Sequence, residues 1–320
     1  MVQIEGKNHD EVRQVLPDLP LRCRLGEGCV WEERSGRLYF LDIEGCKIYG
    51  IRPGDETAKL WEFDTEDMVG CLVPCSDGVE NPPRICSADG VENPPRVRSA
   101  DGVVAAIGHR LVRITVDGKR TETLTELSLP DYMRFNDGKC DANGRLWVGT
   151  MAKSQEHPRA KKSGSLYCIE ENEVIAEYPG YTIPNGMAWD GNRFYHIDTS
   201  KGMIEEYQME GGDLTGRKLA VAVDPADGSP DGMTIDSEGK LWVAMWGGGK
   251  VCCYDPQTGQ KLAEIPVPAK NVSCVTFGDE DLKTLYITTA MDENGLGGQL
   301  YAVRLPVAGV LPYRYGGRGK

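Results

Sequence analysis

Four short stretches of this chain set an acid or an amide beside glycine at the head of an apolar run. They are L-G-E-G-C-V-W with Glu27, M-R-F-N-D-G-K with Arg134, Asn136 and Asp137, I-P-N-G-M-A-W with Asn185, and S-P-D-G-M-T-I with Asp231. Carboxylates together with amide oxygens make a hard, all-oxygen cation site. Such a site suits Ca²⁺, Mg²⁺ or Mn²⁺ better than a thiophilic metal, while Zn²⁺ also accepts carboxylate oxygens. Asn-Gly and Asp-Gly are by themselves the commonest turn formers. What sets these apart is register. The last two stretches share the frame P-[N/D]-G-M and lie 46 residues apart. Equivalent positions of successive structural units then carry Asn185 and Asp231, and both are expected to point at one axis.

Convergence of residues so distant requires a repeating architecture, and the chain repeats. A polar turn followed by an apolar strand reads E-R-S-G-R-L-Y-F-L-D at 33–42, D-A-N-G-R-L-W-V-G-T at 141–150 and D-G-N-R-F-Y-H-I-D at 190–198. It returns as D-S-E-G-K-L-W-V-A-M at 236–245 and, more weakly, D-L-K-T-L-Y-I-T-T at 281–289. Leu146, Phe194, Leu241 and Leu285 are equivalent, at steps of 48, 47 and 44 residues. That is the size of a four-stranded propeller blade. The gap from Leu38 to Leu146 leaves room for one more unit, seen at 101–114. Further short strands follow at Lys47–Ile51, Ser165–Ile169, Lys250–Asp255 and Gln299–Val303, as a meander requires. The reading is an all-β, six-bladed β-propeller with four-stranded blades around a central channel, one domain over 1–320. A strand from before Leu25 is expected to complete the last blade and close the ring.

One segment breaks the period. D-G-V-E-N-P-P-R begins at Asp77 and again at Asp89, and a third D-G-V begins at Asp101. Residues 77–100 read as a tandem-duplicated 12-residue insert in blade 2. The proline pairs Pro82–Pro83 and Pro94–Pro95 cannot donate to a sheet ladder, so loop is expected there.

Bulk properties exclude several function classes. The net charge is −13, from 36 basic and 49 acidic residues, which argues against a nucleic-acid partner. No apolar run of membrane-spanning length occurs, and the N-terminus lacks the apolar core of a signal peptide. Eleven cysteines, with no C-x-x-C pair, read as reduced thiols in the cytoplasm. The four histidines show no ligand spacing, and His196 reads as a packed strand residue. Trp31, Trp147, Trp189 and Trp242 recur at blade positions and read as packing between blades. No G-x-S-x-G elbow or phosphate loop is present; W-G-G-G-K at 246–250 reads as a turn.

Taken in order, L-G-E-G-C-V-W, R-F-N-D-G-K, I-P-N-G-M-A-W and S-P-D-G-M resemble the SMP-30/gluconolactonase/LRE family, from about Leu21 to Tyr313. The resemblance implies a six-bladed propeller with one divalent metal, Ca²⁺ before Zn²⁺, Mn²⁺ or Mg²⁺. By motif, Glu27, Asn185 and Asp231 fall on the family's metal ligands, and Arg134 and Asn136 on its substrate-binding pair. Regucalcin-like members carry an acidic pair after G-T-M, where this chain has Lys153 and Ser154, which bears on sugar specificity. The implied activity is metal-dependent opening of a sugar lactone, with Asp231 as ligand and general base. Asp137 either orients a neighbour or is a plain turn residue. Luciferin regeneration, other ester or phosphotriester hydrolysis, and calcium-binding regulation are the alternatives. The expected partner is a small-molecule lactone, and the expected state a monomer or weak dimer.

Overall fold

The computed structural model describes residues 11–17, 20–54, 60–76, 102–115, 118–210 and 212–316. The 77–100 insert lies outside the described residues. After a short β1 (Arg13–Gln14), the chain runs as meanders. Blade 1 holds β2 (Gly26–Glu32), β3 (Arg37–Asp42), β4 (Lys47–Ile51) and β5 (Trp61–Asp64). Blade 2 holds β6 (Val69–Cys75), β7 (Gly102–Ile107), β8 (Arg110–Thr115) and β9 (Thr121–Glu126). Blade 3 holds β10 (Met133–Cys140), β11 (Leu146–Ala152), β12 (Gly164–Glu170) and β13 (Glu173–Tyr181). Blade 4 holds β14 (Pro184–Asp190), β15 (Arg193–Asp198), β16 (Met203–Glu210) and β17 (Asp213–Ala222). Blade 5 holds β18 (Ser229–Ile235), β19 (Leu241–Trp246), β20 (Lys250–Asp255) and β21 (Gln260–Pro266). Blade 6 holds β22 (Asn271–Gly278), β23 (Thr284–Ala290) and β24 (Tyr301–Arg304), and β1 adds its fourth strand.

This is the six-bladed propeller that the repeat spacing predicts. Arg13 pairs with Ala302 and Gln14 with Tyr301, so the N-terminal segment does close the ring. The unit inferred at 101–114 is real and supplies β7 and β8. The last strand starts at Tyr301 rather than Gln299, because Thr289 Oγ1 takes the Gln299 carbonyl at 2.7 Å and holds it out of the ladder.

The core lies between blades. One buried apolar cluster joins blades 1 and 2, another blades 2 and 3, and so on around the ring to the seam between blades 6 and 1. A lone four-stranded sheet has two apolar faces, and only a closed ring covers both. Three of the four repeated tryptophans make ring contacts across a seam, while Trp189 stacks on Phe194 of its own blade. Trp31 of blade 1 stacks on Tyr286 of blade 6, Trp147 of blade 3 meets Phe194 of blade 4, and Trp242 of blade 5 meets Phe277 of blade 6. The repeated D-x-x-G-x-L-W turn is itself a hydrogen-bonded unit. Asp141 accepts from the Trp147 indole at 2.9 Å, and Asp236 from the Trp242 indole at 2.8 Å. His196 is fully buried between Phe194 and Tyr181, and neither ring nitrogen has a hydrogen-bond partner.

Candidate metal centre

The four motifs occupy one structural position. Each sits near the start of an innermost strand, where the ladder slips. The register shifts fall between Glu27 and Val30, Phe135 and Gly138, Pro184 and Met187, and Pro230 and Met233. The sequence pattern suggests loops ahead of the strands. Instead the residues stand inside the strands, on β-bulges, which turn a side chain out of the sheet's alternation. Their glycines serve close approach. A Cβ on Gly232 would stand 2.7 Å from Ser273 O of blade 6.

Glu27, Arg134, Asn136, Asp137, Asn185 and Asp231 are all buried, at 5–7% exposure. They form one group. Arg134 Nη1 donates to Asn136 Oδ1 at 2.7 Å and to Phe135 O at 2.8 Å. Asn136 Nδ2 donates across the seam to Pro184 O at 2.9 Å and to Asn185 Oδ1 at 3.1 Å. Asn185 Nδ2 donates to Thr199 Oγ1 at 2.9 Å, and that hydroxyl donates to Pro230 O at 2.8 Å. Glu27 Oε2 accepts from Gly28 N at 2.8 Å.

The acids here are under strain from one another. Burial first, then repulsion from Asp137, pushes Glu27 up to about 8, against relief from Arg134. Burial, then Glu27 and Asp137, push Asp231 well above the ordinary aspartate range. Burial also raises Asp137, opposed by Lys139. Burial lowers Arg134 to about 10 in spite of Glu27, Glu44 and Asp231. The Asp231 carboxylate has no hydrogen-bond partner among the described residues, and Asp137 Oδ2 is buried without one. Asp137 therefore orients no neighbour: its other oxygen only accepts from the adjacent Gly138 N, at 2.8 Å. Dry carboxylates that outnumber the cations beside them, with an amide oxygen in the same group, are the donor set a hard divalent ion requires.

Two residues that the motif reading passes over set this geometry. Asp42 ends β3, and its carboxylate takes the backbone N–H groups of Arg24 and Leu25, each at 3.0 Å, just ahead of Glu27. Asp198 ends β15 and takes those of Thr182 at 3.2 Å and Ile183 at 3.1 Å, just ahead of Asn185. Their signal in the sequence is the aspartate closing both L-Y-F-L-D and F-Y-H-I-D.

Lys153 follows β11 at the end that carries Arg134, with its backbone N–H on Tyr132 O at 2.8 Å and its ammonium 3.9 Å from Asp67. Further along the axis the channel continues as a cavity of about 290 Å³ lined in part by Asp137, Met187 and Thr234, with Val310 to Tyr313 across its far end. A wider hollow of about 640 Å³, between Arg193, Lys218 and Gln257, lies at the outer edge of blades 4 and 5 and holds none of these groups. A second acidic cluster, Asp227 with Cys252 and Glu264, lies in blade 5. Lys261 sits 2.8 Å from both Asp227 oxygens and Lys250 sits 3.2 Å from one, so ammonium groups already balance that cluster. All the described cysteines but Cys46 are buried. No helix among the described residues is long and apolar enough to cross a membrane.

Known proteins resemble this chain along most of its length. Regucalcin from Danio rerio is 33% identical over 92% of this chain and 95% of its own length. A Bacillus subtilis protein named provisionally as a sugar lactone lactonase is 32% identical over 92% of this chain and 96% of its own. Among solved structures, a luciferin-regenerating enzyme superposes with a TM-score of 0.80 at 25% identity, covering 95% of this chain and 99% of that one. The profile of the SMP-30/Gluconolactonase/LRE-like region matches residues 25–291, and the chain belongs to that family.

Proposed function

We propose that this protein is a metal-dependent lactonase that opens a sugar lactone of the gluconolactone type. The observation that carries the reading is the buried set Glu27, Asn185 and Asp231, in which two carboxylates repel one another in a dry space. These three would hold one divalent cation, Ca²⁺ first. When bound, that ion supplies Lewis-acid polarisation of the lactone carbonyl and charge stabilisation for the oxygen that becomes anionic.

The protein side chains do the rest. Asp231 takes a proton from the attacking water as general base, its basicity raised by burial. Arg134 has only its Nη1 committed among the described residues, which leaves the rest of its fork for substrate oxygens. Asn136 has both amide hydrogens committed, so it meets a substrate hydroxyl through the second lone pair of Oδ1. Lys153 replaces an acid at the rim and would shift which sugar is preferred.

The test is turnover of D-glucono-δ-lactone by metal-stripped protein and after return of Ca²⁺, Mn²⁺ or Zn²⁺, beside Asp231→Ala. Metal-dependent turnover absent from the variant supports the reading; equal turnover without metal overturns it. A second reading is Ca²⁺ binding that serves regulation, favoured by likeness to regucalcins. Ca²⁺ binding with no turnover on lactones, aryl esters or phosphotriesters would select it.

A further inference from the structure

The residue before each proposed ligand presents its carbonyl to a side chain of the preceding blade. Ser273 Oγ of blade 6 donates to Gly26 O, ahead of Glu27. Asn136 Nδ2 of blade 3 donates to Pro184 O, ahead of Asn185. Thr199 Oγ1 of blade 4 donates to Pro230 O, ahead of Asp231. Each bond spans a seam of the ring and holds the backbone at a bulge that carries a ligand.

Thr199 does a second thing. It follows Asp198, opening a short 3₁₀ turn whose N-cap is that aspartate, and its backbone N–H is held by Ile183 O at 3.0 Å. Its hydroxyl has one proton, and that proton goes to Pro230 O. Only lone pairs remain to face Asn185, so the end of the Asn185 amide at Thr199 must be the NH₂ end, at 2.9 Å. At the other end Asn136 presents a donor, so it must meet the oxygen. An Asn185 amide turned over would set oxygen against lone pairs at Thr199 and N–H against N–H at Asn136. Only the oxygen of an amide can ligate a cation, and this pair of contacts keeps it on the side of Asn136.

We propose that Thr199 is a positioning residue for the metal centre: through one hydroxyl it fixes which end of Asn185 faces the site and ties blade 4 to the backbone beside Asp231. This rests on the ligand assignment made above, and the variants separate the two. Ca²⁺ is titrated calorimetrically into the metal-stripped full chain for wild type, T199V, T199S, T199A and N185A, with thermal unfolding of each metal-free protein alongside. T199V and T199A weaken Ca²⁺ binding by about ten- to a hundred-fold, the usual range for a residue that orients a ligand. T199S keeps the hydroxyl and restores wild-type affinity. The metal-free unfolding temperatures move little, which a merely structural role would not give. If T199V does not fold, T199A carries the comparison. Wild-type affinity in T199V or T199A, with N185A impaired, overturns the role of Thr199 alone. Equal affinity in N185A and wild type overturns the ligand assignment and this inference with it.

Discussion

Gly186 lies so close to blade 5 that a Cβ there would stand 2.6 Å from the carbonyl oxygen of Asp231. The glycine of I-P-N-G-M is thus a spacer between the two strands that carry Asn185 and Asp231, and its backbone φ is not in the left-handed region. Gly186→Ala must push β14 and β18 apart, a clash of the overpacking kind that costs about 1–3 kcal/mol. Denaturant unfolding is expected to show that loss, and Ca²⁺ affinity to fall with it because Asn185 and Asp231 move apart. A variant as stable as wild type with unchanged affinity would contradict the spacer role.

Asp231→Asn separates ligation from proton transfer. The amide keeps an oxygen for a cation but cannot accept the water's proton. We predict a fall in kcat of about 10²- to 10⁴-fold, the usual contribution of a general base, with metal binding weakened less than in Asp231→Ala. Near-normal kcat in Asp231→Asn would move the base elsewhere.

Metal-free protein is predicted to lose stability as pH rises from the ordinary glutamate range to about 8. Glu27 has its folded pKa raised to about 8 by burial and Asp137, so across that window the folded state holds a proton that the unfolded state has released. The contribution is complete below the unfolded pKa and gone above the folded one. A bound cation needs the carboxylate, so Ca²⁺ binding at pH 7 expels a proton and tightens as pH approaches 8. Calorimetry in buffers of different ionisation enthalpy reads the proton directly. Heats independent of buffer, or proton release undiminished in Glu27→Gln, would count against it.

His196 acts in the opposite direction. Burial holds its folded pKa at about 4, below the unfolded value of about 6.5. The unfolded state therefore binds the extra proton first, and stability falls as pH drops between those two values, by on the order of 3 kcal/mol at most. In the Ca²⁺-loaded protein, His196→Leu is expected to flatten this acid limb of the unfolding curve. An acid limb unchanged in the variant would assign the loss to other groups.

Removal of residues 1–20 takes away β1 and uncovers the edge of β24. Val12, Val15 and Leu16 also leave the clusters they pack against. Those three partly buried side chains contribute on the order of 3 kcal/mol together. Denaturant unfolding of the truncated chain should show a loss of that size, and an unchanged midpoint would show that the ring closes without the N-terminal strand.

Much of this protein is legible along the chain. A blade is a local object: its turns, its alternating strands and its Asp-to-Trp hydrogen bond all fall within one repeat, so spacing alone gives six units and puts Asn185 and Asp231 at equivalent places. The resemblance in the four motifs does the same for Glu27, Arg134 and Asn136. What no local pattern contains is the ring. Glu27 stands inside β2 on a bulge, which shows only once β3 is paired with it. Ser273 reaches Gly26 across 247 positions of sequence. Nothing along the chain marks Thr199 before blade 5 places Pro230 O against its hydroxyl, and Gly186 reads as a turn former until Asp231 O leaves no room for a Cβ. The sequence by itself determined the units and the polar side chains each one carries. Closure of the ring decided which groups meet, because burial and repulsion among Glu27, Asp137 and Asp231 exist only when six separate strands share one axis.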